Sequence, residues 1–166
     1  MQFSVGVEYS LHCLLYLVSQ PSGESIAIKD LARFQGISES YLSKAFTKLS
    51  KAGIIRSTPG VKGGYELAKN PEDISFWDVI VAIEGSSYLF QCTGILRNII
   101  IYEPRDDSRD CPCLIKNIMH EAEEKMREHL KNQSLSDLYT SVQGVTTKKY
   151  QEDLKDWFIK ARETRK

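Results

Sequence analysis

The 166-residue sequence predicts a mainly α-helical protein carrying one small β-hairpin, and three observations predict it. Apolar residues recur at helical spacing over most of the first 52 positions and again over 114–133. Between those stretches, two short runs of strand character flank the glycine-rich segment Pro59-Gly60-Val61-Lys62-Gly63-Gly64. The early helical pattern is also broken at Pro21-Ser22-Gly23 and again at Gly36, the latter with a capping serine two residues on.

The elements follow in order. Over 5–19, Val7, Leu11, Leu14, Leu15 and Val18 repeat at helical spacing, while Tyr9, Cys13, Tyr16 and Leu17 fill much of the opposite face. A helix this apolar all round is buried or shared between subunits. Pro21-Ser22-Gly23 ends it, and 26–34 reads as a second helix carrying Leu31 and Phe34, closed by Gly36. Ser38 is an N-cap for a third helix over 39–52, which Gly53 terminates. Two helices joined by a three- to four-residue turn containing glycine make a helix-turn-helix.

After Gly53 the period changes, and 54–57 and 65–68 are strand candidates on either side of the glycine-rich tip. Residues 75–84 form an amphipathic helix with Ser75 as its cap and Gly85 as its stop. The stretch 86–110 has no steady period and reads as a long loop. From 114 to 133, Ile115, Ile118, Met119, Ala122, Met126 and Leu130 lie close to a heptad seam, about 30 Å of helix that needs a partner. Alternating charges on its other face (Glu121, Glu123, Glu124, Lys125, Arg127, Glu128) read as a solvated surface. A last helical segment, 148–162, presents Leu154, Trp157, Phe158 and Ala161 on one side and is expected to pack on a dimer or a partner.

Length and charge bound the function. The chain suffices for one globular domain plus an extension, which excludes a large multidomain enzyme. Lysine plus arginine equals aspartate plus glutamate at 22 each, yet 28–63 holds seven basic residues against Asp30 and Glu39, a local excess of +5. No apolar run approaches the roughly 20 residues of a membrane span, and the start lacks the basic flank of a signal peptide, so a cytoplasmic protein without a membrane partner is expected.

Basic excess and helix-turn-helix fall in the same place. In the third helix Leu42, Ala45, Phe46 and Leu49 share one face, so Ser40, Ser43, Lys44, Thr47, Lys48 and Lys51 occupy the other. Small hydroxyls near the N-terminus and lysines beyond them suit a major groove, where hydroxyls approach base edges and ammonium groups bind phosphate or guanine acceptors. An ordinary solvated helix would show similar lysines. The hairpin weighs against that alternative: glycines at 60, 63 and 64 permit close approach to a phosphate backbone or minor groove, and Lys62 adds charge at the tip.

Three runs carry a family resemblance: Ile37-Ser38-Glu39-Ser40-Tyr41-Leu42, Leu49-Ser50-Lys51-Ala52-Gly53-Ile54-Ile55, and above all Gly60-Val61-Lys62-Gly63-Gly64-Tyr65-Glu66-Leu67-Ala68. Over roughly residues 1 to 140 the chain resembles the Rrf2 family of winged helix-turn-helix repressors. The resemblance implies a winged DNA-binding domain (1–85), a sensor loop (86–113) and a dimerisation helix with a short following helix (114–140); beyond it, the apolar pattern adds an amphipathic helical extension (141–166). It also implies a homodimer, joined through Ile115, Ile118, Met119, Ala122, Met126 and Leu130, that reads double-stranded palindromic operator DNA. By the same resemblance Ser38, Ser40, Tyr41, Lys44 and Lys48 contact DNA from the recognition helix, and Lys62, Gly63 and Gly64 from the wing. One departure is plain: many members place an arginine before the first wing glycine, whereas this chain has Pro59.

The cysteines leave several readings open. In cluster-binding members three loop cysteines hold an iron-sulfur centre with a further side chain, often a histidine just inside the long helix. Here Cys92, Cys111 and Cys113 remain, but eighteen residues separate the first two, one separates the last two, and Lys116 stands at the histidine position. A lysine ammonium offers no lone pair to iron. A thiol switch is the preferred reading: Cys111 and Cys113 lie near a helix N-terminus, which lowers thiol pKa, with Arg109 nearby and Asp110 opposing. Unreactive packing is the third reading, and the preferred one for Cys13 on the apolar first helix.

An enzyme is not expected, because no phosphate-binding glycine loop, His-Glu-x-x-His motif or nucleophile elbow is present. A protein-docking module using an exposed Trp157-Phe158 helix is the alternative from another class. The expectation is a DNA-binding regulator, a repressor responding to thiol oxidation, with a cluster, a small molecule or a partner protein as the other effectors to consider.

Overall fold

A computed structural model describes residues 3–21, 23–60, 63–86, 88–93 and 113–164. Seven α-helices, a short 3₁₀ helix (Pro71–Asp73) and one two-stranded antiparallel hairpin are found among them: α1 (Val5–Val18), α2 (Ile28–Gln35), α3 (Glu39–Lys51), β1 (Ile55–Thr58), β2 (Gly64–Leu67), α4 (Phe76–Glu84), α5 (Leu114–Lys131), α6 (Leu135–Val145) and α7 (Lys148–Glu163). This is the mainly α fold with a small hairpin that the periodicities predict.

Local chemistry sets the boundaries. Gly36 takes φ 67°, a left-handed C-cap that ends α2 and lets the chain reverse into α3. Ser75 and Asp78 form a capping box at the start of α4, and Ser134 with Asp137 repeats it at α6. These two starts lie side by side: the Phe76 amide donates to Gln133 O at 2.9 Å and the Leu135 amide to Ile74 O at 2.9 Å. Backbone bonds thereby lock the chain leaving α5 against the chain entering α4.

The core gathers Leu14 and Leu17 of α1, Leu31 of α2, Leu42, Phe46 and Leu49 of α3, Val79 and Ile80 of α4, and Leu135 of α6. The helix predicted over 26–34 starts two residues late. Ile26 is instead a third strand position: its amide donates to Tyr65 O at 3.0 Å and its carbonyl accepts from the Tyr65 amide at 2.8 Å. Ile26 is 2% exposed, so an isoleucine that fits an apolar helical stripe serves equally as a buried strand residue, and pairing with the hairpin decides between them.

Two further expectations are corrected. The segment 148–162 does not present its apolar side outward: α7 lays Trp157 and Phe158 on Phe34 of α2 and Tyr16 of α1, with ring centroids 4.9 to 5.6 Å apart, and Phe158 is buried. Arg162 also pairs with Glu24. An apolar helix stripe is indifferent to which surface covers it, and Phe34 and Tyr16 of the same chain are near enough to do so. The charged side of α5 is likewise not uniformly solvated, because Glu123 is 6% exposed.

Candidate nucleic-acid interface

Helix α3 is anchored by Leu42, Ala45, Phe46 and Leu49, all buried, which turns Ser40, Lys44, Thr47 and Lys51 to solvent. Ser38 is the N-cap, and its Oγ accepts from the Tyr41 amide at 3.4 Å, so one predicted DNA contact also holds the helix start. Tyr41 is half-exposed and meets Tyr9 of α1 edge-on at 5.9 Å. A Cβ on Gly6 would lie 3.3 Å from the Tyr41 hydroxyl, so α1 offers Tyr41 a small-residue seat.

Lys48 is placed differently from the other lysines. Its Nζ donates to the Ile83 carbonyl of α4 at 2.6 Å, satisfying an acceptor in the last turn of that helix with a positive charge where the helix dipole favours one. Lys48 therefore ties α3 to α4 while remaining solvent-exposed, as Lys44 and Lys51 are.

The hairpin beside α3 pairs Arg56 with Glu66 and Ser57 with Tyr65. Glu66 accepts from Arg56 Nε at 2.9 Å and from the Thr58 hydroxyl at 3.3 Å. Gly60 has φ 112°, which only glycine adopts readily. Gly63 and Gly64 answer to the fold. A Cβ at 63 would sit 2.1 Å from Thr58 O, and one at 64 would sit 2.4 Å from the carbonyl of Ile26. Their conformational role is thus close approach of the wing to its own backbone. Lys62 lies outside the described residues.

Of the sensor candidates, Cys111 also lies outside the described residues. Cys92 is exposed and Cys113 is half-buried at the N-cap of α5; both are thiols, as is Cys13. Burial pushes the Cys13 thiol up to about 12, so it does not ionise near neutrality.

The α5 seam splits in two. Ile115 and Ile118 are about two-thirds exposed (65% and 66%), Met119 and Ala122 are also exposed, and Met126 and Leu130 are half-buried. Leu89, Phe90, Met119, Ala122 and Met126 line a groove of about 300 Å³ that continues this apolar surface.

A polar cluster that the charge pattern of α5 conceals joins three elements. The Glu123 carboxylate accepts from the Leu89 amide at 2.9 Å and from Arg127 Nη2 at 2.7 Å. The Arg127 guanidinium lies 4.2 Å from the Tyr88 ring centroid and 4.9 Å from that of Trp77. Tyr88 stacks on His120 at 4.3 Å and donates to Glu124 at 2.9 Å, and this acceptor keeps its hydroxyl protonated to higher pH than usual. Burial pushes the Glu123 carboxyl up, but the bonds from Arg127 and from the Leu89 and Phe90 amides outweigh it and hold the group below the usual carboxylate range. The i,i+4 spacing of Glu123 and Arg127 was the available sequence signal; an ordinary surface pair shows the same spacing.

Among the described residues no three His, Cys, Asp or Glu side chains converge as a metal cage, and no helix is long and apolar enough to cross a membrane.

Residues 3–141 match the profile of the Rrf2 family, described as "Iron-dependent Transcriptional regulator". The YffB protein of Lactococcus lactis is 38% identical over 143 residues, covering 86% of this chain and 90% of that one. The HTH-type transcriptional regulator NsrR of Halalkalibacterium halodurans is 33% identical over 141 residues, covering 85% and 92%. The solved structure of IscR from T. potens superposes with a TM-score of 0.66 at 25% identity, covering 90% of this chain and 95% of that one.

Proposed function

We propose, on the premise that this chain belongs to the Rrf2 family of transcriptional regulators, that it is a repressor which binds a palindromic operator as a homodimer and responds to thiol oxidation. The family places the chain among DNA-binding regulators and apart from enzymes. The observation that carries the rest is the pairing of one exposed helix face with one hairpin. Ser40, Lys44 and Lys51 face solvent on α3, and the wing beside them is held by Arg56, Glu66 and three glycines. An α-helix of this width fits a major groove, and a wing of small residues can approach the adjoining backbone.

Homodimerisation is supported by the stripe Leu114, Ile115, Ile118 and Met119, a row of large apolar side chains that stand exposed. A twofold pair of recognition helices reads a site with twofold symmetry, which is the basis for the palindrome.

The donor set does not suit an iron-sulfur centre. Lys116 occupies the first turn of α5, and the nearest imidazole on that helix, His120, is committed to a stack on Tyr88. Cys92, exposed on the segment that leaves the Glu123 cluster, and Cys113 at the α5 N-terminus are better suited to thiol chemistry, with Cys111 between them in sequence. A small molecule or partner protein acting in the same region is the second reading, favoured by the apolar groove beside Leu89 and Phe90. The docking-module alternative loses its surface, since Trp157 and Phe158 pack on the chain itself.

The test is a selection from random double-stranded DNA with the reduced full-length protein, followed by binding measurements under reductant and oxidant and with Cys92→Ser. Recovery of a palindromic site whose occupancy falls on oxidation in the wild type alone supports the whole reading. A recovered site indifferent to oxidation removes the thiol switch. Recovery of no common sequence removes operator binding.

A further inference from the structure

Arg127 touches three parts of the chain that the sequence holds far apart: Trp77 in α4, Tyr88 after α4, and Glu123 one turn earlier on α5. Its guanidinium is planar, so it can lie against two aromatic faces while donating in plane to a carboxylate. Glu123 in turn fixes Leu89 through both carboxylate oxygens, at 2.9 and 3.1 Å. Moving residues 88–90 off α5 would remove the Tyr88 ring from Arg127 and an amide donor from a buried carboxylate in one step. Departure of the linker and loosening of Arg127 are therefore a single event.

The consequence runs through α4. Trp77 stands in its first turn and Ile83 near its end, a stiff rod of about 9 Å between them. The Ile83 carbonyl accepts from the Lys48 ammonium of α3, and α3 also packs directly on α4. A displacement at Trp77 is thus delivered to the helix that carries Ser40 and Lys44.

We propose that Arg127 is a positioning residue that couples the segment 88–93, which contains Cys92, to the placement of α4 and α3. The proposal rests on the reading of the chain as a DNA-binding regulator. Packed networks transmit such shifts because they repack between discrete arrangements, so coupling appears as a response at both ends.

The test uses the full-length protein, the operator that wild type selects from random DNA, and two variants. Tyr88→Ala removes an exposed ring on the linker and leaves the core untouched. Arg127→Lys keeps the charge and removes the flat stacking surface. Amide exchange is followed over 88–93 and 76–84, together with operator affinity. Loss of protection in both segments, with a change in affinity of at least about fivefold, the lower range for coupled sites, is expected for each variant. The double variant should add little to the larger single effect. Faster exchange confined to 88–93 with wild-type affinity would make Arg127 a mere fastener of the linker and overturn the proposal. If Arg127→Lys unfolds, Tyr88→Ala decides. Should wild type select no operator, the DNA-binding reading falls and takes the proposal with it, an outcome distinct from variants that bind like wild type.

Discussion

The ammonium of Lys48 on α3 donates to the carbonyl of Ile83 on α4 at 2.6 Å, which makes this lysine a structural tie as well as an exposed basic residue. Lys48 and Lys44, one turn apart, should therefore separate by experiment. Lys44→Ala is expected to leave thermal stability unchanged and to lower the slope of log affinity against log salt by about 1, one phosphate contact. Lys48→Met is expected to destabilise the fold by about 1.5 kcal/mol, the lower range for a hydrogen bond to a charged group. Parallel melting and salt titrations of the two variants check this; identical profiles would return both lysines to a single role.

The wing glycines make a second pair. A Cβ at Gly64 would meet the Ile26 carbonyl at 2.4 Å, which is backbone and cannot swing away. Gly64→Ala should cost about 2 to 3 kcal/mol, as overpacking does, and separate the hairpin from Ile26. At Gly60 the space is open and only φ 112° opposes a side chain, so Gly60→Ala should cost about 1 kcal/mol. Denaturant melts rank the two.

This contrast shows how far sequence reached. The helices, the hairpin and the outward face of α3 were legible because each rests on a local period: Leu42, Ala45, Phe46 and Leu49 can share a face in one way only. Ile26 was misplaced because one isoleucine satisfies both a helical stripe and a strand, and its partner Tyr65 lies 39 residues away. The Glu123–Arg127 pair was hidden for the same reason. Its burial depends on Tyr88, Leu89 and Trp77, none of which is near it in sequence. The glycine motif at 63 and 64 was recognised, but it is satisfied by the protein's own backbone, a contact no period reveals.

Acid should act through Glu123. Its carboxyl is held below the usual range, so its contribution to stability is complete above the unfolded-state value and is lost as pH falls through the lowered folded value. At neutral pH, Glu123→Gln is expected to cost about 2 kcal/mol by removing the buried carboxylate that accepts from Arg127 and the Leu89 amide, while Arg127 keeps Glu124 at 3.8 Å. The difference between variant and wild type should shrink as pH falls below the ordinary glutamate range. Urea melts from pH 7 down to pH 3 test the sign; a gap that widens in acid would contradict it.

The C-terminal helix lies beyond the family match at 3–141, yet Phe158 is buried against Tyr16 and Phe34. Phe158→Ala is expected to cost about 3 kcal/mol by leaving a cavity under α7. The Glu24–Arg162 pair beside it is partly exposed, so Arg162→Ala should change stability by less than about 1 kcal/mol. Calorimetric melts distinguish an aromatic anchor from an electrostatic one.

Thiol reactivity should follow burial. Cys13, fully buried with its thiol pushed up to about 12, is expected to resist alkylation in the native protein at pH 8, while exposed Cys92 is modified. Peptide mass mapping after a short maleimide pulse reads both, and labelling of Cys13 without unfolding would contradict the buried α1 packing.

The central claim is that α3 and the wing form a DNA-reading surface, and the salt dependence of binding tests it most directly. Full-length wild type is titrated against the DNA it selects and against an unrelated duplex from 50 to 300 mM salt, with Lys44→Ala and Ser40→Ala alongside. Affinity for the selected site that falls steeply with salt, exceeds the unrelated duplex by at least about 10³, and drops for both variants is the predicted result. Equal, weak binding to the two duplexes, unaffected by either substitution, would contradict it.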